Sequence, residues 1–314
     1  MAPPRRAVKR LVMTFLPIIL IIVIAVVGVM GWIVYTITRP PRAPYLVTPQ
    51  KFAIGPILKA NDATWSNHDG TTARGWLIRG AEGAPAVILL HRYGADRSWL
   101  LNLAVKLNER TNFTVLWPDL RGHGENPPVN WTLFGTVEGD DVTAAIDYLH
   151  TLKSAEGKPH VGLIGIYGTE LGAYAGLDAA KRYPEVRALA LDSVPGSPDE
   201  LVRAATSKRA ALNNVVLQTL GRWGIKLYSW GKYQSTSSCE LALAVRNERV
   251  LLLAGDQSDP WRASTLELEK CFSGGTVEMK KDLPLTGFNL ASATGEQEEA
   301  YDRPVIEFFD KALR

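Results

Sequence analysis

The stretch "GIYGTELGAYAG", residues 165–176, decides how this chain is read. It follows the apolar run "HVGLIGIY", whose continuous hydrophobicity suits a strand buried on both faces. It leads into "ELGAYAGLDAAKRY", a helical pattern rich in small residues and suited to close packing on a sheet. Between them Gly168-Thr169-Glu170-Leu171-Gly172 predicts a sharp strand-to-helix corner, with glycines two before and two after Glu170.

Outward from this corner the same alternation continues. "TWSNHDGTTARGWLIRG" predicts two strands around His68-Asp69-Gly70. "APAVILLH", "FTVLWPDL", "VRALALDS" and "RVLLLAGDQSDP" each supply a strand. Helical patterns at 97–109, over "GTVEGDDVTAAIDYLHTL" and over "EEAYDRPVIEFFDKAL" lie between and after them. Strands alternating with helices predict a mostly parallel sheet covered on both faces. The segment at about 197–238 breaks the rhythm and predicts a helical cap. Its aromatics Trp223, Tyr228, Trp230 and Tyr233 suggest an apolar pocket or a membrane-facing surface, with core packing the favoured expectation.

The N-terminal part is of another kind. Leu11 to Thr38 carries no charge, and a bilayer core needs about 20 such residues. A cleaved signal peptide has an apolar core of only about 7–15 residues. The expectation is therefore a basic N-terminus over 1–10, a transmembrane helix over 11–38, a Pro-rich stalk over 39–52 and a folded domain over 53–314. Trp32 and Tyr35 fall where an interfacial aromatic belt would lie. Arg5, Arg6, Lys9 and Arg10 before the span, against Arg39, Arg42 and Lys51 after it, favour a cytoplasmic N-terminus and an extracytoplasmic domain. Cys239 and Cys271 suit an oxidising compartment, where they could form a disulfide across the strand near residue 250.

The net charge of +3 belongs to the tail. Seven of the 35 Lys/Arg and none of the 32 Asp/Glu fall in residues 1–51, so the remainder carries 28 basic and 32 acidic residues, a net of −4. Nothing here points to a nucleic-acid partner. No His/Cys/Asp cluster has metal-ligand spacing, and neither a metal nor a cofactor is expected.

In this order, "HRYGADRS" after a strand, "DLRGHG" after the next, the corner "GTELG" and "AGDQSDP" near the end resemble the α/β-hydrolase family over nearly all of residues 53–314. The resemblance implies that fold, and a nucleophile at the corner position, on a strained turn backed by helix amides. The family places Ser, Cys or Asp there, whereas this chain has Glu170. The resemblance assigns the acid position to Asp259, with Asp256 as competitor and Asp192 as a further alternative. It places the family's histidine near Asn289. Asn has no basic nitrogen, and all five histidines (68, 91, 123, 150 and 160) precede the corner. His91 and His123 match loop-supporting positions. The oxyanion loop reads His91-Arg92 where the family reads His-Gly, so its donors would be the amides near Arg92 and Tyr93, with that of Leu171.

Two functions follow as expectations. The favoured one is a membrane-anchored domain that has lost hydrolysis and binds a small molecule or a protein at the old pocket, with Glu170 directed into its own oxyanion hole. The alternative is an active hydrolase using Glu170 as nucleophile or base on an ester-, amide- or halide-like substrate. A carboxylate can form an ester intermediate, but Glu is one methylene longer than Asp, and a misplacement of about 1 Å costs on the order of a hundredfold. Thr169 or Ser193 as a relocated nucleophile lacks a basic partner nearby in sequence.

Overall fold

The computed structural model describes residues 5–52, 60–211, 213–246, 248–289 and 295–314. They form two compact units. One holds the chain up to Ile37 together with Val202–Gly231, and the other holds Thr38–Leu201 and Lys232–Arg314.

The larger unit is built on eight strands: β1 (Ala60–Ser66), β2 (Thr72–Ile78), β3 (Ala86–Leu90), β4 (Thr114–Asp119), β5 (Ile164–Thr169), β6 (Val186–Asp192), β7 (Arg249–Gly255) and β8 (Thr276–Leu283). Their order is β1-β2-β4-β3-β5-β6-β7-β8. β2 runs antiparallel to both of its neighbours, and all other pairs are parallel. The helices of the chain are α1 (Arg5–Thr38), α2 (Pro49–Phe52), α3 (Leu101–Thr111), α4 (Glu138–Thr151), α5 (Leu171–Arg182), α6 (Pro198–Arg209), α7 (Val215–Tyr228), α8 (Ser238–Ala244), α9 (Arg262–Leu268) and α10 (Gly295–Leu313).

The central strands are apolar on both faces because both faces are covered. Val87, Leu89, Val115 and Trp117 join Ala104, Leu107, Val305 and Phe309 in one continuous core under α3 and α10. On the other face a Cβ placed on Gly176 of α5 would touch Ile166 and Leu90, so α5 lies directly on β5 and β3. Register sets the site. Leu90 pairs with Gly168, and Thr169 with Asp192. The loops after β3, β5, β6, β7 and β8 therefore emerge along one carboxyl edge, where α/β sheets bind ligands.

Three expectations meet a different local structure. The helix expected at 97–109 begins as a single 3-10 turn, Arg97–Leu100, started by the Asp96 side chain on the Ser98 amide, and continues as α3 to Thr111. The Pro-rich stretch is docked, not free. Tyr45 donates to Asp119 (2.6 Å) and packs on Trp76 (5.3 Å), and the Leu46 amide donates to Ser98 (3.1 Å). The cap is divided, with Val202–Gly231 in the smaller unit and the chain from Lys232 in the larger.

The smaller unit contains α1, whose segment Val12–Thr38 is long and apolar enough to be a candidate membrane span, with a mean hydropathy of 3.0. Of the four cap aromatics only Tyr233 is buried. The expectation of core packing fails for Trp223 and Trp230, because α7 turns Gly221, Gly224 and Tyr228 toward α1, and Tyr228 itself stays 42% exposed.

Cys239 and Cys271 are bonded across a sequence separation of 32 residues, and so join the flanks of β7. Closing a loop of that size is worth about 3–4 kcal/mol. Replacing both cysteines with Ala should lower the denaturant-unfolding free energy of the detergent-solubilised chain by about that amount. An unchanged midpoint at unchanged slope would show that the bond contributes nothing.

Candidate active site

The corner between β5 and α5 is a close crossing of backbone. A Cβ on Gly168 would stand 2.4 Å from the Gly172 carbonyl oxygen, and one on Gly172 would stand 2.4 Å from that of Leu90. Only glycine fits at both positions. Glu170 between them has φ 51° and ψ −106°, a conformation that costs a non-glycine residue about 1–3 kcal/mol. It is held by two backbone bonds. Its amide donates to the Asp192 carbonyl (3.0 Å), and its carbonyl accepts from the Tyr174 amide (3.0 Å).

The Glu170 side chain does not reach into water, being only 6% exposed. Its Oε2 accepts from the Tyr93 amide at 3.0 Å, and its Oε1 accepts from the Trp261 indole Nε1–H at 3.2 Å. Leu171 opens α5 and is buried. Arg92 donates to the Tyr93 carbonyl (3.1 Å), with its guanidinium over Trp99 (4.7 Å) and Phe288 (5.4 Å). Burial lowers the Arg92 pKa, and the charge of Glu170 opposes that shift. The structure thus brings Glu170, Arg92 and Tyr93 together. Trp261, Trp99 and Phe288 join them without any signal in the sequence, since no spacing rule ties an aromatic on one loop to a carboxylate on another.

The loop carrying Tyr93 is fixed by the two histidines beneath it. His91 Nδ1 donates to the Arg92 carbonyl (2.8 Å), and its Nε2 accepts from the Leu120 amide (3.0 Å). That is the neutral ring, and burial pushes its pKa down to about 4. His123 donates to the Arg121 carbonyl (3.0 Å) and meets His91 edge to face at 5.0 Å, with burial holding it well below the usual range. His68 pairs with Asp147, His150 faces Glu185, and His160 bonds through its backbone in the 152–163 connection. None of the five lies against Glu170.

Of the acid candidates, Asp256 is exposed and closes its own turn on Ser258. Asp259 Oδ2 accepts from the Gly255 amide (3.0 Å) and the Ser193 hydroxyl (3.1 Å), while its Oδ1 accepts from the Trp261 amide (2.9 Å). It therefore sets the loop from which Trp261 reaches Glu170. Asp192 is fully buried and accepts from Tyr301, from the Gly287 amide and from Ser193. Tyr301 also meets Tyr167 (2.6 Å), whose hydroxyl meets Thr169 (2.9 Å). Thr169 and Ser193 are thus buried parts of this network. Asn289 is exposed, and its amide oxygen accepts from the Thr286 amide (2.8 Å). Among the described residues of that loop, Gly287 meets Asp192 and Thr169, and Phe288 meets Arg92.

Among the described residues no three His, Cys, Asp or Glu come together to hold a metal ion. A cavity of about 310 Å³ lies against His68, Asp69, Arg121 and Asp141, and none of Glu170, Arg92, Tyr93 or Asp259 lines it.

Burial raises the Asp192 carboxyl from its ordinary 3.8 to about 7, despite its hydrogen bonds. The folded chain then holds a proton that the unfolded chain releases above 3.8, so this stabilisation falls as the pH rises from there to about 7. The Asp192→Asn variant should gain stability relative to the parent across that window, with the difference level above it. Chemical denaturation at a series of pH values checks this, and a difference independent of pH would contradict it.

No family model and no curated protein matches this chain. Solved structures do. The Pyrococcus furiosus esterase Pf2001 superposes with a TM-score of 0.66 at 20% identity, over 88% of this chain and 100% of its own. An acetyl xylan esterase from a Paenibacillus species superposes at 0.55 with 15% identity, over 81% and 86%. A dienelactone hydrolase from Anabaena variabilis superposes at 0.54 with 16% identity, over 82% and 99%. With the strand order above, these likenesses give the chain the α/β-hydrolase fold.

Proposed function

We propose that this chain is a membrane-anchored α/β-hydrolase-fold protein that no longer hydrolyses and acts by binding a small molecule or a protein. The observation that carries the reading is the Glu170 carboxylate on the Tyr93 amide and the Trp261 indole. Acyl transfer on this fold needs an activated nucleophile, a base to take its proton and free donors for the developing oxyanion. Glu170 supplies no hydroxyl. Its carboxylate already occupies the Tyr93 amide, one of the donors the oxyanion loop would offer, so a substrate oxyanion would have to displace an acidic group. All five histidines precede the corner in the chain, and Asn289, near the family's histidine position, accepts from the Thr286 amide.

The intact corner glycines and the retained Asp259 favour the second reading, with Glu170 as nucleophile or base. Against it, Glu170 has no histidine to activate the water that would have to release an ester intermediate. The disulfide and the basic residues ahead of the apolar span Val12–Thr38 support a cytoplasmic N-terminus and an extracytoplasmic domain.

The test is turnover of simple activated esters by the detergent-solubilised chain and by Glu170→Ala. Two repaired forms join it, Glu170→Ser with Asn289→His and Glu170→Ser with Phe288→His. The expected outcome is background hydrolysis by the parent and Glu170→Ala, with gain in at least one repaired form. Parent turnover that disappears in Glu170→Ala would contradict the binding role.

A further inference from the structure

Within the smaller unit α7 runs antiparallel to α1 at close range. A Cβ on Gly224 would stand 2.9 Å from Val34 and 3.5 Å from Met30, and one on Gly221 would stand 3.2 Å from Ile33. At the far end Tyr228 donates to the Val27 carbonyl (3.3 Å) and lies over Gly31. Small residues that let two backbones approach are how helices associate in lipid.

The rest of α7 divides into two further stripes. Val216, Leu220, Trp223 and Leu227 follow one another at helical spacing. Trp223 and Leu227 are 68% and 62% exposed, and Trp230 just beyond the helix is 92% exposed. Gln218, Thr219, Arg222 and Lys226 form the polar stripe. Residues 201–239 contain six Lys/Arg and no Asp/Glu. An apolar stripe with Trp and Leu beside a basic one is the amphipathic pattern of helices that bind bilayers.

Depth follows from α1. Counting about 20 residues from Val12, the thickness of a bilayer core, reaches Gly31. The Tyr228 end of α7 meets α1 at Val27 and Gly31, which is within that thickness.

We propose that α7 and the turn bearing Trp230 are a second membrane-binding element. Trp223, Leu227 and Trp230 enter the acyl region of the leaflet crossed by the C-terminal end of the span, and the basic residues around them meet anionic headgroups. This rests on α1 being a membrane span, and it makes the anchor a helix pair in place of a single helix.

The full chain reconstituted into vesicles of phosphatidylcholine and phosphatidylglycerol tests this. An environment-sensitive fluorophore is attached at Leu227→Cys, Trp230→Cys, Thr219→Cys or Trp32→Cys, one at a time, and quenched by brominated lipid or by iodide in solution. Leu227 and Trp230 are exposed, so the changes leave packing intact. The expected result is lipid quenching at positions 227 and 230 as full as at 32, with iodide quenching at 219. Lipid quenching at 32 with iodide quenching at 227 and 230 would overturn the proposal while leaving the span. Iodide quenching at all four would overturn both.

Discussion

The structure depends on one backbone crossing. Gly172 passes the Leu90 carbonyl, and Gly168 passes Gly172, at distances that admit no side chain. That contact joins β3, β5 and α5, and it forces the residue between the glycines into a left-handed, strained conformation. Everything that could be chemistry is arranged by it, because the loops after five parallel strands open on the same edge. The crossing costs strain at Glu170, and the Asp192 carbonyl and the first bond of α5 hold the residue there.

A carboxylate at such a corner has few places to go. It must stay hydrated, pair with a charge or accept donors from the protein. Here it is buried and accepts a backbone amide and an indole, while Arg92 supplies opposite charge nearby without leaving its slot between Trp99 and Phe288. The neighbouring carboxylates take part indirectly. Asp259 fixes the Trp261 loop, and Asp192 sits below it in a Tyr301–Tyr167–Thr169 chain. The carboxylates of the site are each held by protein donors.

Much of the fold was legible in the sequence, because buried parallel strands are written as continuous apolar runs and the corner glycines are demanded by local geometry. The candidate site was legible only as far as its chain order. Glu170, Arg92 and Tyr93 could be placed from the strand ends. Trp261, Phe288 and Tyr301 could not, because each arrives from a different loop or helix and no local pattern says where an aromatic ring will point. Tyr45 was hidden for the same reason, its partner Asp119 lying 74 residues away. For the cap rings, hydrophobicity alone favoured burial. What it could not show was that Gly221 and Gly224, not Trp223, would take the face toward α1.

The central claim is that the Glu170 carboxylate is turned inward, onto the Trp261 indole and the Tyr93 amide, a donor a substrate would need. The most direct measurement is the indole N–H resonance of Trp261 in a chain with 15N-labelled tryptophan, assigned by Trp261→Phe. The account predicts a hydrogen-bonded, downfield indole proton that moves upfield in Glu170→Ala while the other eight indoles hold their positions. A Trp261 resonance unmoved by that substitution would mean that Glu170 faces elsewhere, and the account would be wrong.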